Sequence, residues 1–175
     1  MKKLIIVRHG DYLPDGNLSE FGERQLLDLA WKINRLVEGD SAVLISSTAP
    51  RAEQSADLLH PRVQGITSYT KNPIFWSEAH RQPNIEAGLQ IIEEQTADVV
   101  IIVTHFEWGQ DLPTAFAERF LQTRFPLKQL NKAQAWVIDC EAKTRVRIPY
   151  KNRTHLGPFF YPTNASCLNA VAVQS

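Results

Sequence analysis

The stretch Leu4-Ile5-Ile6-Val7-Arg8-His9-Gly10-Asp11 decides the reading of this chain. Four apolar residues in succession, three of them β-branched, predict a strand buried on both faces. The run stops at a cation, an imidazole and a glycine, where the strand would leave the sheet. In an open α/β sheet, that carboxyl edge is where ligands bind. Arg8 offers a planar fork of donors suited to phosphate or carboxylate. The imidazole of His9 can serve as nucleophile, proton carrier or metal ligand. Gly10 permits a sharp backbone turn and close approach of a ligand.

Two further apolar runs follow the same grammar. Ala42-Val43-Leu44-Ile45 ends in Ser46-Ser47-Thr48-Ala49-Pro50-Arg51, with Thr48 the expected N-cap of a short helix through Ala52, Ala56 and Leu59. Asp98-Val99-Val100-Ile101-Ile102-Val103 runs into Thr104-His105-Phe106-Glu107. Between the strands, Leu26, Leu29, Ala30, Ile33, Leu36 and Val37 recur at helical spacing behind Ser19 as N-cap, with Phe21 extending that face and Gly39 ending it. A third strand is expected over 63–69, a loop or short insert around 71–84, and a helix over 85–95. Another helix is expected over 112–125, with Pro113 in its first turn. A closing pair of strands over 133–138 and 144–148 completes the order β-α-β-α-β-α-β-α-β-β. That order predicts one α/β domain over 1–175: a three-layer, doubly wound, mostly parallel sheet with helices on both faces.

Composition narrows the function classes. The chain has 175 residues, 43% hydrophobic and 22% charged, as in a globular protein with a sizeable core. Nineteen basic residues balance nineteen acidic ones, so no global charge points to nucleic acid or membrane. No apolar run is long enough to span a bilayer, and Met1-Lys2-Lys3 leads only four apolar residues, too few for a secretion signal. Cys140 and Cys167 form no disulfide framework. A cytoplasmic location is expected; oligomeric state is not legible.

Three parallel strand ends share one edge, so Arg8, His9, Arg51 and His105 can converge on one small volume. A phosphoryl group, with several non-bridging oxygens and dispersed negative charge, matches that set. At this point the residues resemble the histidine phosphatase superfamily, the phosphoglycerate mutase-like proteins. Arg8-His9-Gly10 resembles its first motif, 18–25 the opening of its first helix, 46–56 its second motif, and Val103-Thr104-His105 its third. The resemblance spans roughly 3–110 in the same order.

The resemblance implies a phosphomonoesterase without metal or other cofactor. His9 is the nucleophile that becomes phosphohistidine. Arg8, Arg51 and His105 bind the phosphoryl oxygens, Asn17 is a further candidate phosphate contact, and a carboxylate between the second and third motifs protonates the leaving group. Glu78 is best placed for that role by order, with Asp11 as rival. The chain departs from the pattern where Phe106-Glu107 follow His105 in place of glycine, and where Asp11-Tyr12 follow the first motif. His80 and Arg81 are candidates for a substrate mouth; Trp76, Trp108 and Phe106 are candidates for its wall. His60 and His155 read as structural or surface residues. A mutase, a phosphatase of protein phosphohistidine and a non-catalytic phosphate binder are the alternatives. The expected partner is a small phosphorylated substrate.

Overall fold

A computed structural model describes residues 1–77 and 82–149. They form a six-stranded sheet in the order β3-β2-β4-β1-β5-β6. The strands are β1 Lys3–Arg8, β2 Ala42–Ser46, β3 Ile66–Lys71, β4 Val99–Thr104, β5 Ala135–Asp139 and β6 Thr144–Ile148. Pairing is parallel from β3 to β1 and antiparallel from β1 through β6. β1 and β4 are fully buried from Leu4 to Val7 and from Val99 to Val103, as unbroken apolar runs demand.

Because alternate strand residues face opposite sides, the sheet builds two cores. Ile5, Val7, Leu44, Ile101 and Val103 meet Leu26, Leu29 and Ile33 of α1 (Glu20–Val37) and Ala52, Ala56 and Leu59 of α2 (Pro50–Leu59). Leu4, Ile6, Val100 and Ile102 meet Leu89 and Ile92 of α3 (Ile85–Glu93) and Trp108, Leu112 and Phe116 of α4 (Phe106–Phe116). The expected three layers are present. Among the described residues no helix is long and apolar enough to cross a membrane.

Several local expectations need correction. The N-cap of α2 is Ala49 rather than Thr48, and no side chain caps the helix; Ser47 Oγ accepts the N–H of Ala49 itself at 3.3 Å, a local turn just before it. β3 begins after Gly65, whose φ of 82° ends the preceding turn. The largest difference is α4, which starts directly after His105, passes through Pro113, and continues as a π-helical turn over Ala117–Leu121. Proline inside a helix leaves the carbonyl four residues back without its donor. Here that carbonyl belongs to Gly109, and it accepts the indole N–H of Trp136 at 2.9 Å. A donor from β5 thus replaces the missing backbone bond, so the helix tolerates its proline. Phe21 does not extend the core; it is 41% exposed.

Candidate active site

The register of the central strands sets the site. Arg8 pairs with Thr104 across β1–β4, and Ser46 with Val103 across β2–β4. One residue further, His9 donates its backbone N–H to Thr104 and Ser47 donates to Val103, at 3.0 and 2.9 Å. His9, Ser47 and His105 therefore leave three neighbouring strands at one level. Arg51 reaches the same point from the first turn of α2.

Glycines let helix and motif close together. A Cβ on Gly10 would lie 2.9 Å from the Gly22 carbonyl oxygen, and one on Gly22 would lie 2.1 Å from the Asp11 carbonyl oxygen. Gly10 does not adopt a left-handed turn, and the opening of α1 packs against its backbone. Ser55 completes the clamp, accepting the Gly10 N–H at 3.1 Å and donating to the Arg51 carbonyl at 2.6 Å.

Donor roles fix both imidazoles. A guanidinium only donates, so His9 Nε2 accepts from Arg51 Nε at 3.2 Å and is unprotonated. His9 Nδ1 then carries the proton and donates to the Gly10 carbonyl at 2.8 Å. By the same logic His105 Nδ1 accepts from Arg51 Nη2 at 3.3 Å, and His105 Nε2 donates to Ser47 Oγ at 2.8 Å. The rings lie 5.2 Å apart, and only 3% and 2% of the two residues is exposed. Burial, reinforced by the neighbouring arginines, pushes His9 down to about 3 and His105 to about 2. Two neutral imidazoles thus aim their lone pairs at one guanidinium.

Arg8 is near enough for its charge to act on both imidazoles. Its Nη1 donates to the Leu130 carbonyl at 2.8 Å, and its guanidinium lies 5.0 Å from the Phe106 ring centroid. Its buried Nε has no hydrogen-bond partner among the described residues. Burial lowers its pKa while the charge of Glu107 opposes that shift. Glu107 accepts from Ser77 Oγ at 2.6 Å. The departure after His105 therefore places Phe106 against Arg8 and ties Glu107 to the residue before Glu78.

The remaining candidates divide. Glu78, His80, Arg81 and His155 lie outside the described residues. Asn17 is directed elsewhere: its Nδ2 donates to Asp15 and its Oδ1 accepts from Gln54, at 3.0 and 2.9 Å. Asp11 forms an ion pair with Lys132 at 2.7 Å and accepts from Ser19 Oγ at 3.0 Å, and the Lys132 bond holds its carboxyl below the usual range. Trp108 is fully buried against Phe75, inside the α3–α4 core, and walls no site. Trp76 packs beside the opposite core. Among the described residues, no group of three or more His, Cys, Asp or Glu side chains is arranged to hold a metal ion.

Sequence reasoning missed Ser47, Ser55, Tyr12 and Lys132. The two serines stood inside the second motif, where spacing marked them but no role did. Tyr12 meets His9 edge-on at 5.2 Å and lies between Arg51 and Lys132, at 4.9 and 4.3 Å from its ring centroid.

No family model and no curated protein matches the sequence. Solved structures do. A protein histidine phosphatase SixA complexed with tungstate aligns with a TM-score of 0.58 at 15% identity, over 83% of this chain and 94% of that one. A mycobacterial glucosyl-3-phosphoglycerate phosphatase aligns at 0.54 and 15%, over 86% and 98%. A phosphoserine phosphatase from Entamoeba histolytica, in complex with 3-phosphoglyceric acid, aligns at 0.52 and 14%, over 88% and 98%. These neighbours belong to the histidine phosphatase superfamily, and the chain has their phosphoglycerate mutase-like α/β fold.

Proposed function

We propose that this chain is a phosphatase that hydrolyses a small phosphomonoester through a phosphohistidine on His9. The observation that carries the reading is the buried, unprotonated Nε2 of His9, held by its Nδ1 bond to Gly10 and faced by Arg51. A phosphoryl group entering between Nε2 and Arg51 replaces that contact and meets the Arg51 donors, with the charge of Arg8 nearby. The lone pair of Nε2 attacks phosphorus, an N–P bond forms, and the bond to the ester oxygen breaks. Arg8, Arg51 and His105 carry the charge on the equatorial oxygens. Ser47 Oγ can donate as well as accept, so His105 can present Nδ1–H to a phosphoryl oxygen without changing its own charge.

The leaving oxygen takes a proton from Glu78, assigned by its place in the chain. Water then attacks phosphorus, Glu78 accepts its proton, phosphate departs and Nε2 is regenerated. Asp11, the rival acid, is kept ionised by Lys132 and is the poorer donor. A second reading, protein phosphohistidine as substrate, is favoured by the likeness to SixA; its leaving imidazole has less need of an acid. We also take the enzyme as cytoplasmic and as one domain over 1–175.

Labelled phosphomonoesters should yield an acid-labile phosphoenzyme that is absent in His9→Ala; turnover surviving in that variant refutes the mechanism. Glu78→Gln should slow alkyl phosphates far more than activated aryl phosphates. Equal slowing, with phosphohistidine peptides unaffected, supports the second reading.

A further inference from the structure

The turn that feeds β5 is locked onto the end of β1. The backbone N–H of Ala133 donates to the carbonyls of Arg8 and His9 at 3.1 and 3.0 Å, and Arg8 N–H donates to Gln134 at 3.0 Å. Ala133 has a φ of 52°. A non-glycine residue holds that left-handed conformation only where its surroundings impose it, and such positions cluster at functional sites. The result is a fixed position for Lys132. Its Nζ lies 2.7 Å from Asp11 Oδ1 and 4.3 Å from the centroid of the Tyr12 ring, whose edge meets His9. Lys132 is a third cation beside the phosphoryl site, and neither the motifs nor the proposed reaction gives it work.

Beside it opens a shallow surface cleft of about 530 Å³ lined by Arg8, Asp11, Phe21, Gln25, Asn131, Lys132 and Gln134. The amides are oriented as donors. Gln25 Oε1 accepts the Asp11 N–H and Gln134 Oε1 accepts the Asn131 N–H, each at 3.1 Å. Neither Nε2 has a partner among the described residues. We propose that this cleft receives a second anionic group on the substrate, bound by Lys132 with the carboxamides of Gln25, Asn131 and Gln134 beside it. Resting on the phosphatase reading, this makes the substrate a phosphomonoester with a further carboxylate or phosphate a few atoms from phosphorus.

Asp11 does not forbid an anion there. Its carboxylate is already matched by Lys132 and Ser19, an ammonium has two further protons to donate, and Arg8 makes the lining net positive. A neutral leaving group would leave the ammonium without a second acceptor.

The test is calorimetric binding of three esters that share one phosphoryl end: 2-hydroxyethyl phosphate, carboxymethyl phosphate and ethane-1,2-diol bisphosphate. One charge-assisted contact predicts that at least one doubly anionic ester binds about tenfold tighter than the hydroxyethyl ester; which one does so separates carboxylate from phosphate. Lys132→Gln should abolish the preference. Asn131→Asp, at an exposed position that leaves the Lys132–Asp11 pair intact, should reverse it. Equal binding of all three esters by the wild-type chain, or a preference that survives Lys132→Gln, overturns the subsite while leaving the phosphatase reading intact. Failure to bind any of them, together with no phosphohistidine on His9, overturns both.

Discussion

Lowering the pH from 7.5 to 5.5 should destabilise the ligand-free fold by about 2–3 kcal/mol through His9 and His105 alone. Burial beside Arg51 and Arg8 holds them at about 3 and about 2, against an ordinary 6.5. Between 6.5 and those values the unfolded chain binds a proton at each position and the folded chain does not. Stability therefore falls as the pH drops through that window and is flat above it. At pH 5.5 an unfolded imidazole is about ten parts protonated to one, which favours unfolding by RT ln 11, about 1.4 kcal/mol for each histidine. The figure requires only that both folded values lie well below 5.5. Urea denaturation at the two pH values measures it, provided that other titrating groups are subtracted. A His9→Asn/His105→Asn double variant serves that purpose, since His60, His80 and His155 and all the carboxylates are common to both proteins. Wild type should lose about 2–3 kcal/mol more than the double variant on going to pH 5.5. Parallel pH dependence in the two proteins would show that the imidazoles titrate normally in the fold, and would remove the reason for treating His9 as a neutral nucleophile.

Two further substitutions test the supports of the site. Gly22→Ala would put its methyl group 2.1 Å from the Asp11 carbonyl oxygen, a backbone atom that cannot swing aside; thermal unfolding should show a loss of about 1–3 kcal/mol. Trp136→Phe should cost about 1–3 kcal/mol by leaving the Gly109 carbonyl unpaired. Pro113→Ala should offset part of that cost by restoring a backbone donor, so the double variant should be more stable than the two single losses predict; simple additivity would refute the account of how α4 accommodates its proline.

Much of the fold was legible because its signals are local. The unbroken apolar runs at 4–7 and 99–103 read as buried strands, and Ser19 with the apolar spacing from Leu26 to Val37 reads as an amphipathic helix. The misreadings arose where a distant group overrides a local rule. Pro113 normally opens a helix, and nothing near it in sequence announces that Trp136 will supply the missing hydrogen bond. Ser47 looked like one more polar residue after a strand. Its role depends on His105, fifty-eight positions on, and on the register that sets β2 beside β4. Gly10 suggested a turn, but its lack of a side chain serves the approach of Gly22, a contact visible only once α1 is packed.

Lys132 was missed for a reason of direction. Looking for chemistry at the carboxyl ends of apolar strands is sound for parallel strands, which all leave the sheet at one edge. β5 runs antiparallel to β1, with Ala135 opposite Val7 and Asp139 opposite Lys3. Its amino end therefore stands at that same edge, and the residues entering it, 130–134, face the ones leaving β1. In a mixed sheet the functional edge collects the carboxyl ends of one set of strands and the amino ends of the other. Here the two sets divide the labour. In the proposed reaction Arg8, His9, Arg51 and His105, which follow parallel strands, act on phosphorus, while Asn131, Lys132 and Gln134, which precede an antiparallel one, face what phosphorus is attached to. Motifs drawn from the first set can therefore indicate a reaction without indicating a molecule, and the substrate has to be sought from the second.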